Sequence, residues 1–203
     1  MRGGDGSRRE IALTFDAGSD AGSTARILDV LAVRDLDATF GITGRFAERN
    51  PELVRRIGAE GHVVMNHTYD HQSFTGYSTG AAALGEPERL EELQRADAVI
   101  SPLIGRSTQP WFRPPYGDTD AGVDDLLGRA GYRYDVLWTI DSLGWQGSPV
   151  DAVVDRCLTR AAPGAIYLFH VGSASTDVDA LERVIDGLQE QDYTFVTVAQ
   201  LLR

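Results

Sequence analysis

The sequence predicts an α/β fold, a distorted (β/α)7 barrel, and three observations predict it. Short apolar or β-branched runs alternate with stretches of helical spacing along nearly the whole chain. Runs such as "AIYLF" are apolar throughout, as strands covered by helices on both faces must be. Seven such units in 203 residues suit a barrel better than an open doubly wound sheet, and no glycine-rich phosphate fingerprint follows the first strand. A single domain over 1–203 is expected, with "MRGGDGSRR" (1–9) as a flexible lead-in.

The elements follow in order. "IALTFD" (11–16) is the first strand, ended by small turn-forming residues, and "TARILDVLAVR" (24–34) the first helix. "ATFGIT" (38–43) is a strand, and "PELVRRIGAEG" (51–61) a helix opened by proline and closed by glycine. "HVVMN" (62–66) and "WFRP" (111–114) are strands on either side of the helix "RLEELQRADAVISPLIG" (89–105). "AGVDDLLGRAG" (121–131) and "DAVVDRCLTRAA" (151–162) are helices flanking the strand "YDVLWTID" (134–141). The strand "AIYLFH" (165–170), the helix "VDALERVIDGLQEQ" (178–191) and the strand "FVTV" (195–198) complete the chain.

Composition narrows the function. Apolar residues at 42% and charged residues at 24% are ordinary for a chain that buries a core. A formal charge of −11, with no long Lys/Arg run, excludes nucleic acid and anionic membrane surfaces as natural partners. Cys157 is the only cysteine, so no internal disulfide forms, and no run of 18 apolar residues offers a membrane span or signal peptide.

In parallel βα folds the loops at the carboxyl ends of the strands converge on one face, where ligand chemistry gathers. Here those ends carry Asp16, His67 with His71, Arg113 with Tyr116, Asp141 and His170, and the opposite ends carry no comparable set. His67 and His71 are four apart, a spacing that puts two imidazoles on one side of a helical turn and suits a shared cation; two hydrogen-bonded loop histidines are the plainer alternative. His62, at the start of that strand and on the face away from the site, reads as structural. In "FRPPY", Arg113 and Pro114 each precede a proline and are pushed to extended geometry, so Tyr116 has the first free backbone N–H after the turn, an aimed donor for an oxyanion. Arg113 can grip a carboxylate through its planar fork, or simply cap a stiff turn. Trp145 and Leu168 supply an apolar wall near Asp141 and His170. There is no nucleophile elbow, and Cys157 falls inside a helix, so hydrolysis by water fits best, with Asp16 as base and an imidazole protonating the leaving group.

These segments resemble the polysaccharide deacetylases, family four of the carbohydrate esterases, over most of the chain. The family's T-F-D-D-G resembles "TFDAG", its paired-histidine motif "HTYDH", its R-x-P-Y "RPPY", its D-x-x-D-W "DSLGW" and its L-x-H "LFH". The resemblance implies a distorted seven-unit barrel and Asp16 as catalytic base oriented by Arg113. It implies His67 and His71 as ligands of a divalent cation (zinc, or cobalt), and Tyr116 as oxyanion donor. Leu168 and Trp145 would line the acetyl pocket, and His170 would be the general acid. The implied partner is an N- or O-acetylated oligo- or polysaccharide of the bacterial envelope, which would place the protein outside the cell. Two departures stand out. Ala17 occupies the place of a metal-binding aspartate, which leaves Asp20, in the same loop, as the substitute carboxylate and implies weaker metal binding. Gly144 replaces the second acid of D-x-x-D-W, leaving Asp141 alone to set the charge of His170. Rival readings are a metal-independent hydrolase of a small amide on the same fold, and a carbohydrate-binding module without turnover.

Overall fold

The computed structural model describes residues 1–18 and 20–203. Its sheet is parallel, and the chain order of elements is β1 (Glu10–Ala17), α1 (Thr24–Val33), β2 (Thr39–Ile42), α2 (Gly44–Arg49), α3 (Pro51–Ala59), β3 (Val63–Asn66), α4 (Glu86–Ile104) and β4 (Trp111–Phe112). There follow α5 (Ala121–Arg129), β5 (Tyr134–Asp135), β6 (Ile140–Asp141), α6 (Val150–Thr159), β7 (Ile166–His170), α7 (Asp177–Glu190), β8 (Thr194–Phe195) and α8 (Val198–Leu201). The strands pair in the order β5-β4-β3-β2-β1-β7-β6, with β8 against the start of β1. This is the incompletely closed form of the expected (β/α)7 barrel.

Three details depart from the sequence reading. "YDVLWTID" is two short strands, β5 and β6, at opposite ends of the ladder path. Between them the carbonyls of Val136 and Leu137 turn away from strand pairing to accept hydrogen bonds from the Arg113 side chain, at 3.0 and 3.3 Å. The first residues are not a free lead-in: the Met1 carbonyl accepts from Leu137 N–H (2.7 Å), the Thr139 hydroxyl donates to the Arg2 carbonyl, and Gly3 bridges to Ala165. They fill the seam between β5 and β6. Two short helices were not anticipated. The Thr43 hydroxyl caps α2, and a Thr197–Gln200 capping box starts α8 inside the run expected to be the last strand.

The period-two alternation of β1 divides the core. Leu13 and Phe15 face outward into the layer between sheet and helices, where the Phe15 ring stacks on Phe40 at 5.2 Å and on Phe169 at 5.6 Å. Ala12 faces inward and meets Met65, Val136, Ile166 and, from α8, Val198 and Leu201, an apolar floor to the barrel. Two and four residues further along the same face stand Thr14 and Asp16, so each step of the strand moves from the apolar floor toward the polar mouth. Because Phe15 is wholly buried at the centre of the outer layer, Phe15→Ala is expected to cost about 3–5 kcal/mol of unfolding free energy. Urea unfolding measures this, and an unchanged midpoint would contradict the packing described.

Candidate active site

At the mouth, Asp16 of β1 sits beside its ladder partners Gly41 of β2 and His170 of β7. The Asp16 carboxylate is 6% exposed and Arg113 behind it is wholly buried. Such a guanidinium is tolerable only when its donors are used. Arg113 Nη1 donates to Asp16 Oδ1 at 2.9 Å and to Thr14 Oγ1 at 2.7 Å, while Nε and Nη2 hold Val136 and Leu137. Burial pushes the Asp16 carboxyl up, but Arg113 foremost, then His67 and His170, outweigh it and hold it below the ordinary carboxylate value. A buried base that stays ionised is the result.

His67 is fixed by its back side. Its Nδ1 lies 2.8 Å from the Arg113 carbonyl, so Nδ1 carries the proton and Nε2 turns a lone pair toward Asp16 Oδ2, 3.6 Å away. Burial holds its pKa below the usual histidine value against the pull of Asp16. His71 stands edge-on to His67, centroids 4.8 Å apart, and burial followed by the field of His67 pushes it down to about 3. Both rings are therefore neutral and ligand-ready at working pH. No helical turn joins them, contrary to the spacing argument: Thr68 (φ 65°) and His71 (φ 68°) are left-handed, and the buried Glu92 carboxylate accepts from the backbone N–H groups of Tyr69 and Asp70 (2.9 and 3.0 Å). The loop, not a helix, brings the imidazoles together.

Asp20 does not join them. Its two carboxylate oxygens accept from the backbone N–H and the hydroxyl of Ser173 (3.2 and 3.1 Å), a tie between the first and seventh strand-end loops. Among the described residues no cluster of three or more His, Cys, Asp or Glu side chains is set to cage an ion. Two neutral imidazoles whose rings stand 4.8 Å apart near the Asp16 carboxylate nevertheless have the donor chemistry that would hold a divalent cation.

The remaining predicted residues line a cavity of about 730 Å³ with Asp16, His67 and His71. Tyr116 has φ 63° and ψ 1°, and its N–H has no acceptor among the described residues. Leu168, Trp138 and Trp145 make the apolar wall. Trp145 is held over His170, ring centroids 5.9 Å apart, because its Nε1 donates to Asp141 Oδ1 (3.2 Å), which also accepts from Leu143 N–H (3.0 Å). Asp141 thus serves Trp145 and does not bond the His170 ring. His62 lies far from the mouth as expected, its Nδ1 accepting from Ala38 N–H and its ring 5.3 Å from Phe40. The sequence reading overlooked Thr14, Glu92, Trp138 and Gly41. For Gly41 a signal existed, since glycine inside a strand marks a close approach: a Cβ there would lie 2.6 Å from Asp16 Oδ1 and 3.7 Å from His67 Cγ.

An arginine-clamped carboxylate and an imidazole line one apolar-walled cleft, together with a residue whose backbone N–H has no acceptor among the described residues, a set of groups of the kind that hydrolases use for acid–base work. Comparison with known proteins gives the family. Residues 3–134 match the family model described as polysaccharide deacetylase. A chitooligosaccharide deacetylase of Rhizobium leguminosarum bv. trifolii is 38% identical over 183 residues, 90% of this chain and 80% of that protein. A crystal structure of a peptidoglycan N-acetylglucosamine deacetylase superposes with TM-score 0.89 at 30% identity, covering 99% of this chain and 91% of that one. A family pseudoenzyme from Bacillus anthracis superposes equally well, TM-score 0.89 at 26% identity, covering 100% of this chain and 68% of that one. The chain belongs to the polysaccharide deacetylase family, and is a hydrolase of that class.

Gly41 provides a test of the geometry. Gly41→Ala is expected to push Asp16 off Arg113 and lower kcat by about 100-fold, the order of loss that a misplacement near 1 Å brings, with the fold retained by circular dichroism. A variant as active as the parent would mean that the base does not need this position.

Proposed function

We propose that the protein removes acetyl groups from N-acetylated amino sugars in oligomers of the peptidoglycan or chitin type, at the cell envelope. The single observation that carries this is the placing of Asp16 and His170 as ladder partners on adjacent strands about 4.8 Å apart, both lining the cavity, with Arg113 behind the first. A base and an acid so placed flank one acetamide.

The acetyl methyl lies against Leu168 and the tryptophan wall, and the carbonyl oxygen meets Tyr116 N–H. Asp16 Oδ2, the oxygen not held by Arg113, takes a proton from the attacking water as its oxygen bonds to the acyl carbon. The carbonyl π electrons move to the oxygen, where the Tyr116 amide stabilises the charge. As the tetrahedral species collapses the C–N bond breaks, His170 gives its proton to the leaving amine, and acetate departs. A divalent cation on His67 and His71, zinc in the first place and cobalt in the second, would supply Lewis-acid polarisation of the acyl carbonyl and a lower pKa for nearby water. The acetamide group is neutral before reaction and the freed amine cationic after it, and a cationic product suits the formal charge of −11.

The shortfall of a third protein ligand favours, as a second reading, turnover that depends weakly or not at all on metal. A module without turnover is disfavoured, because a binding surface has no use for a buried, ionised base clamped by a buried arginine. The test is acetate release from N-acetylglucosamine oligomers. Activity in the parent that falls by at least about 1,000-fold in Asp16→Asn and about 100-fold in His170→Gln supports the reading, and absence of acetate from every acetylated glycan tried overturns it. Chelator then decides the cofactor: the expected result is loss of activity restored by zinc or cobalt at micromolar or higher concentration, whereas unchanged activity establishes the metal-independent alternative.

A further inference from the structure

The strand-end imidazole at position 170 needs something behind it. Asp16 is already ion-paired with Arg113, His67 and His71 are uncharged, Asp141 spends its carboxylate on Leu143 and Trp145, and Asp20 spends its own on Ser173. One further carboxylate reaches this strand end. Asp177, the first residue of α7, is 1% exposed, and its Oδ2 accepts from the His170 backbone N–H at 2.7 Å. An acid in the first turn of a helix ordinarily sits in solvent and answers the helix dipole. Asp177 is instead turned inward across to β7. Its Oδ1 and His170 Nδ1 are both buried, and neither has a hydrogen-bond partner among the described residues. Burial pushes the Asp177 carboxyl above the ordinary range, against the pull of the Ser142 hydroxyl first, then the His170 backbone N–H, the Ser175 hydroxyl and the His170 ring.

A second observation explains why Gly144 is glycine. A Cβ at 144 would lie 2.0 Å from Asp177 Oδ1 and 2.6 Å from its Cγ, so the Asp177 carboxylate occupies the space of a side chain at 144. Gly144 is not among the positive-φ glycines, so its backbone does not by itself demand glycine. We propose that Asp177 is the positioning carboxylate of the general acid His170, delivered from α7 into the space that a side chain at position 144 would otherwise fill. It holds the backbone of His170 and brings a carboxylate to that strand end, and a carboxylate near an imidazole in general favours the protonated form that can donate to an amine. The inference rests on the deacetylase reading above for His170's role, but its geometry and its charge can be tested without turnover.

The experiment uses three variants of the full chain, each checked for an unchanged fold. Asp177→Asn keeps the size and removes the charge. It is expected to leave KM within about twofold, lower kcat about 10- to 100-fold and move the alkaline limb of the pH–rate profile down by about one pH unit. Carbon-detected histidine spectra, with only four histidines in the chain, should show the His170 midpoint falling by a similar amount even if no substrate is turned over. Asp177→Ala should lose as much kcat or more, and Gly144→Asp added to Asp177→Ala should recover at least about tenfold by returning a carboxylate from the other side. An Asp177→Asn variant with the parent's His170 midpoint overturns the proposal whether or not acetate is released, as does a folded double variant no better than Asp177→Ala. Loss of acetate release in the parent, with the midpoint shift intact, would fault the deacetylase reading and leave the pairing standing.

Discussion

The site depends on one buried ion pair. Arg113 is the largest wholly buried side chain in the protein, and a guanidinium there would be a heavy burden if any of its N–H groups pointed at nothing. Every contact it makes shapes the mouth of the barrel. Asp16 is kept ionised, Thr14 is fixed beneath it, the carbonyls of Val136 and Leu137 are drawn out of the sheet, and Arg113's own carbonyl sets the tautomer of His67. The two prolines that follow hold Arg113 and Pro114 extended, so the charged head enters the barrel, and Tyr116 comes to line the cavity with its backbone N–H unpaired among the described residues. One side chain therefore fixes the base, the imidazole and the gap in the sheet.

What could be read in the sequence was whatever a single strand end announces by itself. Asp16, His67, His71, Tyr116, Asp141, Trp145, Leu168 and His170 all follow short apolar runs, and all eight line one cavity. The alternation of runs and helical stretches was enough for the barrel because burial on both faces leaves strands apolar along their whole length. What failed were inferences about loops. The histidine pair was expected on a helical turn, but Glu92, from the distant helix α4, folds the loop by capturing two of its amides. Asp20 was expected to turn toward the imidazoles, yet a serine from the loop after the neighbouring strand β7 satisfies both its oxygens. Spacing along the chain cannot see such long-range partners.

Two family positions lost a carboxylate, and the structure treats them differently. At Ala17 nothing among the described residues takes the place of the missing ligand, and the methyl is buried in the outer layer of the core. At Gly144 the space is occupied by Asp177, reached from an element more than thirty residues further along the chain. One lost side chain is thus replaced in space by a carboxylate from another element, while the other is replaced by nothing among the described residues.

The seam between β5 and β6 has a mechanical meaning. Leu137 gives its N–H to the Met1 carbonyl and its own carbonyl to Arg113, which in turn grips Asp16. Three hydrogen bonds, joined through Leu137 and the Arg113 guanidinium, therefore link Met1 to Asp16 Oδ1. Tension applied to the amino-terminal segment is transmitted along that line rather than dissipated in a loose tail, so the outermost stretch of sequence acts as a brace for the innermost charge.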